Sequence, residues 1–474
     1  MKKCTLQMSK SFDVAIIGSG AAASVFTAAL RHLANNSCSR ASVSSSSASS
    51  SRALRVARVC GSGKKSSTNI PPRFYNVNYG TLLYMNEIGI NIPDEKICPI
   101  DSIVVNDYRS ESFVNFQSCS KSGDRNDGHR ICYMIAESDI IKACERSLTT
   151  GSCNKQLLRL ETIESDATDL VGDSRRIIKA LTTTSGDTIE ADLFVAADGS
   201  ESKMAAKVFD RHGSYPFEFD FDQTAIIATL KHLRPRDESF YWQKFLPEGP
   251  LAILPIKDCS ESSLVWCVQK STANHLLSLN RAQFISALNK SIIEVKPISD
   301  TISTGLSIFD KIMKNCCPSY DSHSNAEINP DTGFKLPNVV TDCKPDTLAK
   351  FDLKFKVRRC FVNSNFALIG DAVHRIHPLS GQGFNLAVKS VKNLSEQLKE
   401  AFDLGFPLSE NLFLERYETN HRRSCWMKIM STPLMYFAFK PQDSLCSSIR
   451  SFGMTLFNNF PPIKDQAIRL NDDM

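Results

Sequence analysis

The segment FDVAIIGSGAAASVFTAAL, residues 12–30, constrains this chain most. An apolar strand, Val14–Ile17, runs into Gly18-x-Gly20-x-x-Ala23 and then into a helix of small residues. Gly18 allows a tight turn, Gly20 lets the backbone approach a pyrophosphate, and Ala23 lets helix and strand pack closely. The helix N-terminus offers unpaired N–H groups to the anion. With a strand before it and a helix after it, the pattern predicts a dinucleotide-binding βαβ unit.

A fold of this kind usually carries an Asp or Glu at the end of its second strand, about 20 residues on, for the ribose hydroxyls. Here no acidic residue occurs between Asp13 and Glu87. A serine-rich insert at 37–52 fills the interval, and its composition predicts a disordered loop. A strand at Leu54–Cys60 follows it. Arg55 and Arg58 are the residue type that accepts a 2′-phosphate, but a solvated strand edge is the preferred reading.

At 474 residues the chain suits two interleaved lobes. Its 42% hydrophobic and 23% charged residues fit a protein with a large core. No apolar run reaches the length of a membrane span. The net charge of +5 is spread along the chain rather than clustered with aromatics, which argues against a nucleic-acid partner. The sixteen cysteines include no Cys-x-x-Cys pair, so a zinc ribbon is not expected and the thiols read as reduced and intracellular.

Two later segments extend the first motif. TIEADLFVAADGSESKMA (188–205) reads as a strand ending in Asp198-Gly199, and ALIGDAVHRIHPLSGQGFNLAV (367–388) as a strand ending in Gly370-Asp371 before a Pro378 loop and a helix after Gly383. A nucleotide with a ribityl chain needs a carboxylate for its hydroxyls, and a glycine turn opening a helix stabilises negative charge on a reduced ring. Asp371 and the Gly381-Gln382-Gly383-Phe384-Asn385 turn supply these parts.

Taken in order, the three segments resemble the aromatic-hydroxylase group of FAD-dependent monooxygenases. The resemblance implies that FAD is held by Gly18, Gly20, Ala23, Asp198, Gly199, Gly370, Asp371, Pro378, Gly381, Gln382, Gly383 and Asn385, with Arg73 near the flavin. The stretches FDQTAIIATL, WQKFLPEGPLAILPI, SSLVWC and LERYETNHRR narrow it to the ubiquinone-biosynthesis hydroxylases, most closely the mitochondrial type that acts on ring carbon five of a polyprenylated 4-hydroxybenzoate. The expected fold is α/β: a Rossmann-like FAD lobe from 12–205 and 346–400, a mixed β-sheet substrate lobe at 206–345, and C-terminal helices at 401–474. Part of 81–130 is free to join the substrate lobe.

The implied reaction is ring hydroxylation by O₂ through a flavin C4a-hydroperoxide. A ferredoxin and its reductase would donate the electrons, at the matrix side of the mitochondrial inner membrane, with peripheral membrane contact and other ubiquinone-biosynthesis proteins as partners. An oxygenase for another aromatic and a catalytically weakened structural subunit are the alternatives. The second is suggested by Val59, Ala205 and Lys389-Ser390, which stand where the family has an acid, an arginine and a Gly-Asp pair. No transit peptide is evident, no second dinucleotide motif occurs, and no general base can be named.

His374 and His377 read as lining the ring pocket rather than as metal ligands. Trp242, Phe245, Leu254 and Trp266 read as sheet core, with pocket lining as the alternative. WMKIMSTPLMYFAF (426–439) reads as a packed helix, or as a surface for membrane or partner.

Overall fold

The computed structural model describes residues 10–41, 53–61, 72–109, 112–117, 130–149, 157–173, 177–210, 213–235, 240–294, 336–440 and 443–472. Its first sheet has eight strands. Phe366–Leu368, Thr188–Ala196, Lys10–Ile17, Leu54–Cys60 and Leu158–Glu164 lie side by side in that order, all parallel. A parallel sheet is covered on both faces, so its strands are apolar without alternation. Val14, Ala15, Ile16 and Ile17 accordingly are all buried. The helices Ala21–Ala41 and Gly383–Asp403 pack against each other here.

The fingerprint helix continues into the serine-rich insert as far as Ala41, which corrects the expected loop over 37–41. Residues 42–52 lie outside the described residues. Arg58 also departs from expectation. It is 8% exposed, and its guanidinium donates to the carbonyls of Gly18 (3.3 Å) and Ser19 (3.2 Å) and to Ser24 Oγ (2.8 Å). The arginine is thus a clamp beneath the glycine turn rather than a solvated edge. A buried guanidinium must find acceptors, and the turn's unused carbonyls provide them. Arg55 is held by Asp13, whose Oδ2 accepts from the Arg55 backbone N–H at 2.6 Å.

The second sheet has nine strands and is mixed, because Phe240–Leu246 runs parallel to Ser102–Asp107 while its other pairings are antiparallel. Ala349–Val357 pairs with the sixteen-residue strand Phe217–His232, so it lies in this sheet although 346–400 is expected in the FAD lobe. The long strand offers an edge that a segment from beyond 345 can complete. Alternation sorts the side chains onto two faces. Ile226, Trp242, Leu251, Ile253, Leu264 and Trp266 pack beneath the helices Lys270–Ser278 and Arg281–Ile293. Tyr241, Ala252, Leu254 and Val265 point the other way.

The C-terminal helices Asn411–Phe439, Ser444–Asn459 and Pro461–Asp472 close the molecule. Arg450 and Asp107, whose side chains are 6% and 2% exposed, join at 3.2 Å and fix Ser444–Asn459 to the second sheet. Removing one partner of a buried pair leaves the other charge without its counter-ion. Arg450→Ala should therefore lower unfolding stability by about 3–5 kcal/mol in a denaturant titration, and a loss below about 1 kcal/mol would contradict this reading.

Candidate functional site

A cavity of about 1020 Å³ lies between the two sheets, at the carboxyl edge of the parallel one. Ligands of open α/β sheets bind at that edge. Its size is at the upper end of the range for ligand sites.

At one end stands the glycine turn. Gly18 has φ +140°, and a methyl group there would overlap the carbonyl of Ala197. The Gly18 N–H donates to the Val59 carbonyl at 2.9 Å, and the Ala197 N–H to the Ile17 carbonyl at 2.7 Å. The turn is thereby fixed against Asp198-Gly199. Nothing lies within 4 Å of the space a Gly20 side chain would take, so backbone is bared to the cavity where the fingerprint helix begins.

Gly18, Gly20, Arg73, Asp198, Gly199, Asp371, Pro378, Gly381 and Gly383 line this one cavity, although they come from four distant parts of the chain. Ala23, Gly370, Gln382 and Asn385 are not in its wall. Ala23 is buried in the core. Gly370 has φ +65° and sits close to the Ala22 methyl, and its N–H donates to Ser390 Oγ at 2.8 Å. Gln382, 8% exposed, precedes the helix as its N-cap residue. Asn385 ties that helix to the segment before Tyr79: its Nδ2 donates to the Asn76 carbonyl (2.9 Å) and its Oδ1 accepts from the Asn78 N–H (3.1 Å).

Asp371 is solvent-exposed, and the surface it exposes lines the cavity, walled in by the surrounding protein. Enclosure raises its pKa to about 6 against the pull of Arg375 and Arg73. Burial likewise raises Asp198, against hydrogen bonding from Ser202. Ionised acids held in an enclosed cleft call for donors from a bound molecule.

The two histidines part company. His377 lines the cavity, and burial lowers its pKa to about 3. Its Nδ1 accepts from the Leu379 N–H at 3.1 Å, so Nε2 carries the proton and donates to Gln223 Oε1 at 2.9 Å. With both nitrogens engaged, this ring is a wall and not a base. His374 does not line the cavity, contrary to expectation: it is buried, and its Nε2 meets His421 Nε2 at 3.0 Å. A strand of two residues points neighbouring side chains to opposite sides, which turns His374 toward the C-terminal helix.

The far end of the cavity is the face of the second sheet, with Ile227, Tyr241, Ala252, Leu254, Val265 and Leu353. Leu254 thus lines the pocket, whereas Trp242 and Trp266 are core on the opposite face. Phe245 stacks on Phe439 with ring centroids 3.6 Å apart. Sequence reasoning missed Tyr75, which lines the cavity and stacks on Phe384 at 4.6 Å and 6°. It also missed Arg375, whose Nη1 donates to Ser200 Oγ at 3.3 Å. Strand alternation carried a signal for the sheet face, but none existed for these two.

An open glycine cradle, a helix N-terminus behind it and the cavity-facing acids Asp198 and Asp371 fit a flavin dinucleotide. The FAD binding domain family matches residues 323–426. The chain is 30% identical over 285 residues to the mitochondrial ubiquinone biosynthesis monooxygenase COQ6 of Danio rerio, a match covering 60% of this chain and 55% of that protein. It is 28% identical to the Drosophila melanogaster COQ6 over 386 residues, 80% of this chain and 74% of the relative. The zebrafish match thus spans little more than half of that relative's length. The fold is similar to p-nitrophenol 4-monooxygenase PnpA of Pseudomonas putida, with TM-score 0.65 and 12% identity over 98% of this chain and 99% of that one. The site fits FAD, and the fold is that of the FAD-dependent monooxygenases it resembles. By sequence the chain is similar to the COQ6-type ubiquinone biosynthesis monooxygenases.

The folded state raises the Asp371 pKa, so the stability this group contributes is present at low pH and lost as pH rises through about 6. Water in the cavity moderates the effect. In FAD-free protein, Asp371→Asn should raise the melting temperature at neutral pH, with the difference shrinking as the pH falls toward 4. A lower melting temperature for the variant at neutral pH would contradict this.

Proposed function

We propose that this chain is an FAD-dependent monooxygenase that hydroxylates the ring of a polyprenylated 4-hydroxybenzoate in ubiquinone biosynthesis. The observation that carries the reading is the single cavity, with a glycine cradle and acids at one end and an apolar sheet face at the other. The relatives' own names support a monooxygenase of ubiquinone biosynthesis in a mitochondrial setting.

In this reading Gly18, Gly20 and the start of the fingerprint helix hold the pyrophosphate, Asp371 takes the ribityl hydroxyls, and Pro378 and Gly381 border the ring. Bound FAD supplies the electron transfer and oxygen activation. The N-terminus of helix Gly383–Asp403 opens at the cavity, where its dipole favours negative charge. Ile227, Leu254, Val265 and Leu353 keep water from the phenol and match its apolar ring. Tyr241, whose hydroxyl donates to Gln243 Oε1 at 2.8 Å, is held neutral by burial, its pKa raised. Cys267, also on this face, is likewise raised by burial. Neither serves as a base near neutral pH.

No described helix is long and apolar enough to cross a membrane. Two consecutive C-terminal helices nevertheless expose Trp426, Met427, Leu434, Phe437, Leu445 and Ile449, with Met427 79% and Leu434 71% exposed. The inward face of the first, Asn411–Phe439, packs Cys425, Ile429 and Tyr436 in one cluster with Phe221. Such exposure supports peripheral contact with the membrane that holds a prenylated substrate; the proposal places that contact on the matrix side of the mitochondrial inner membrane. Electrons would arrive from a ferredoxin and its reductase.

The test supplies FAD, O₂ labelled with ¹⁸O, a ferredoxin couple and vesicles carrying prenylated 4-hydroxybenzoate. One labelled oxygen should appear on the ring, and Leu434→Glu should reduce both vesicle binding and product. Turnover of a soluble phenol alone would favour an oxygenase for another aromatic, and bound flavin without turnover would favour a structural subunit.

A further inference from the structure

The second strand ends without an acid, yet the cavity beside it has one. Leu54–Cys60 and Leu158–Glu164 are parallel neighbours in register from Leu54 opposite Leu158 to Cys60 opposite Glu164. Both therefore end at the same edge, and Asp166, two residues past one strand, comes to lie beside Gly61, just past the other. A methyl group added at Gly61 would overlap Asp166 Oδ1. Val59, Gly61 and Asp166 line the same cavity as Gly18 and Gly20.

The backbone of Asp166 is fixed. Its N–H donates to Thr184 Oγ1 at 3.2 Å, its carbonyl accepts from the Thr184 N–H at 2.9 Å, and Ser165 Oγ lies 2.8 Å from Thr184 Oγ1. The second strand itself has no room for the role: Val59 is buried, and Arg58 is committed to the turn.

We propose that Asp166 receives the ribose hydroxyls of the adenosine half of FAD, replacing in space the carboxylate that the second strand lacks. A carboxylate accepts hydrogen bonds from both hydroxyls of a vicinal diol and repels a 2′-phosphate in the same place. The side chain reaches the edge across the gap between strands, and Gly61 is the residue that leaves it room. This rests on the cavity being an FAD site.

The test is the dissociation constant for FAD, followed by quenching of flavin fluorescence in the full chain. Asp166→Asn should weaken FAD by about tenfold or more, through loss of charge-assisted hydrogen bonds, and leave FMN, which has no adenosine, unchanged. Gly61→Ala is the second variant. Gly61 has no left-handed backbone to strain, so its methyl displaces only the end of the Asp166 side chain, and FAD should weaken in the same direction. The melting temperature of flavin-free protein controls for folding. FAD affinity within about twofold of wild type in both variants, or equal loss for FMN, would overturn the assignment alone. A wild-type chain that takes up no FAD would overturn it together with the function proposed above.

Discussion

Everything at the nucleotide end depends on the closure of one turn. Gly18 adopts φ +140° directly beneath the Ala197 carbonyl, a position no side chain can share. The strands Lys10–Ile17 and Thr188–Ala196 are in register along their length, so this contact brings Asp198 to the fingerprint although the two are far apart in sequence. Arg58 holds the turn from below through the carbonyls of Gly18 and Ser19. The turn is therefore closed without an acid on the second strand, because Arg58, the residue before Val59, braces it from below.

The cavity joins two chemistries that would conflict if mixed. Carboxylates, arginines and bared backbone at one end suit a charged, hydroxyl-rich cofactor. The second sheet gives the other end apolar side chains and neutral polar groups whose partners lie within the protein. The boundary is built by the loop from His377 to Gly383, where Pro378 and the left-handed Gly381 turn the chain into the helix beyond. Its glycine closely approaches Asn76, which Asn385 also contacts, so the loop and the segment before Tyr79 are fixed together.

How much of this was legible in the sequence follows from how local each feature is. The glycine turn, the Asp198-Gly199 and Gly370-Asp371 strand ends and the Pro378 loop are local, and the structure gathers their lining residues in one cavity. The sheet face was legible only in part. Alternation separates Leu254 from Trp242, but nothing in the sequence says which face meets the cavity. Arg58 was misread because its acceptors are carbonyls 39 and 40 residues earlier, which a charge pattern cannot reveal. His374 was misread because its partner, His421, is on a helix 47 residues away. Asp166 gave no signal, since only the register of two parallel strands brings it to Gly61.

In the proposed reaction one cavity holds both a flavin and a prenylated phenol. The most direct measurement is the visible absorbance of the purified chain titrated with FAD and then with prenylated 4-hydroxybenzoate. The bands should saturate at one flavin per chain and then shift as the phenol enters beside the bound flavin. Bands that saturate with FAD but do not respond to the phenol, or no bound flavin at all, would contradict that proposal.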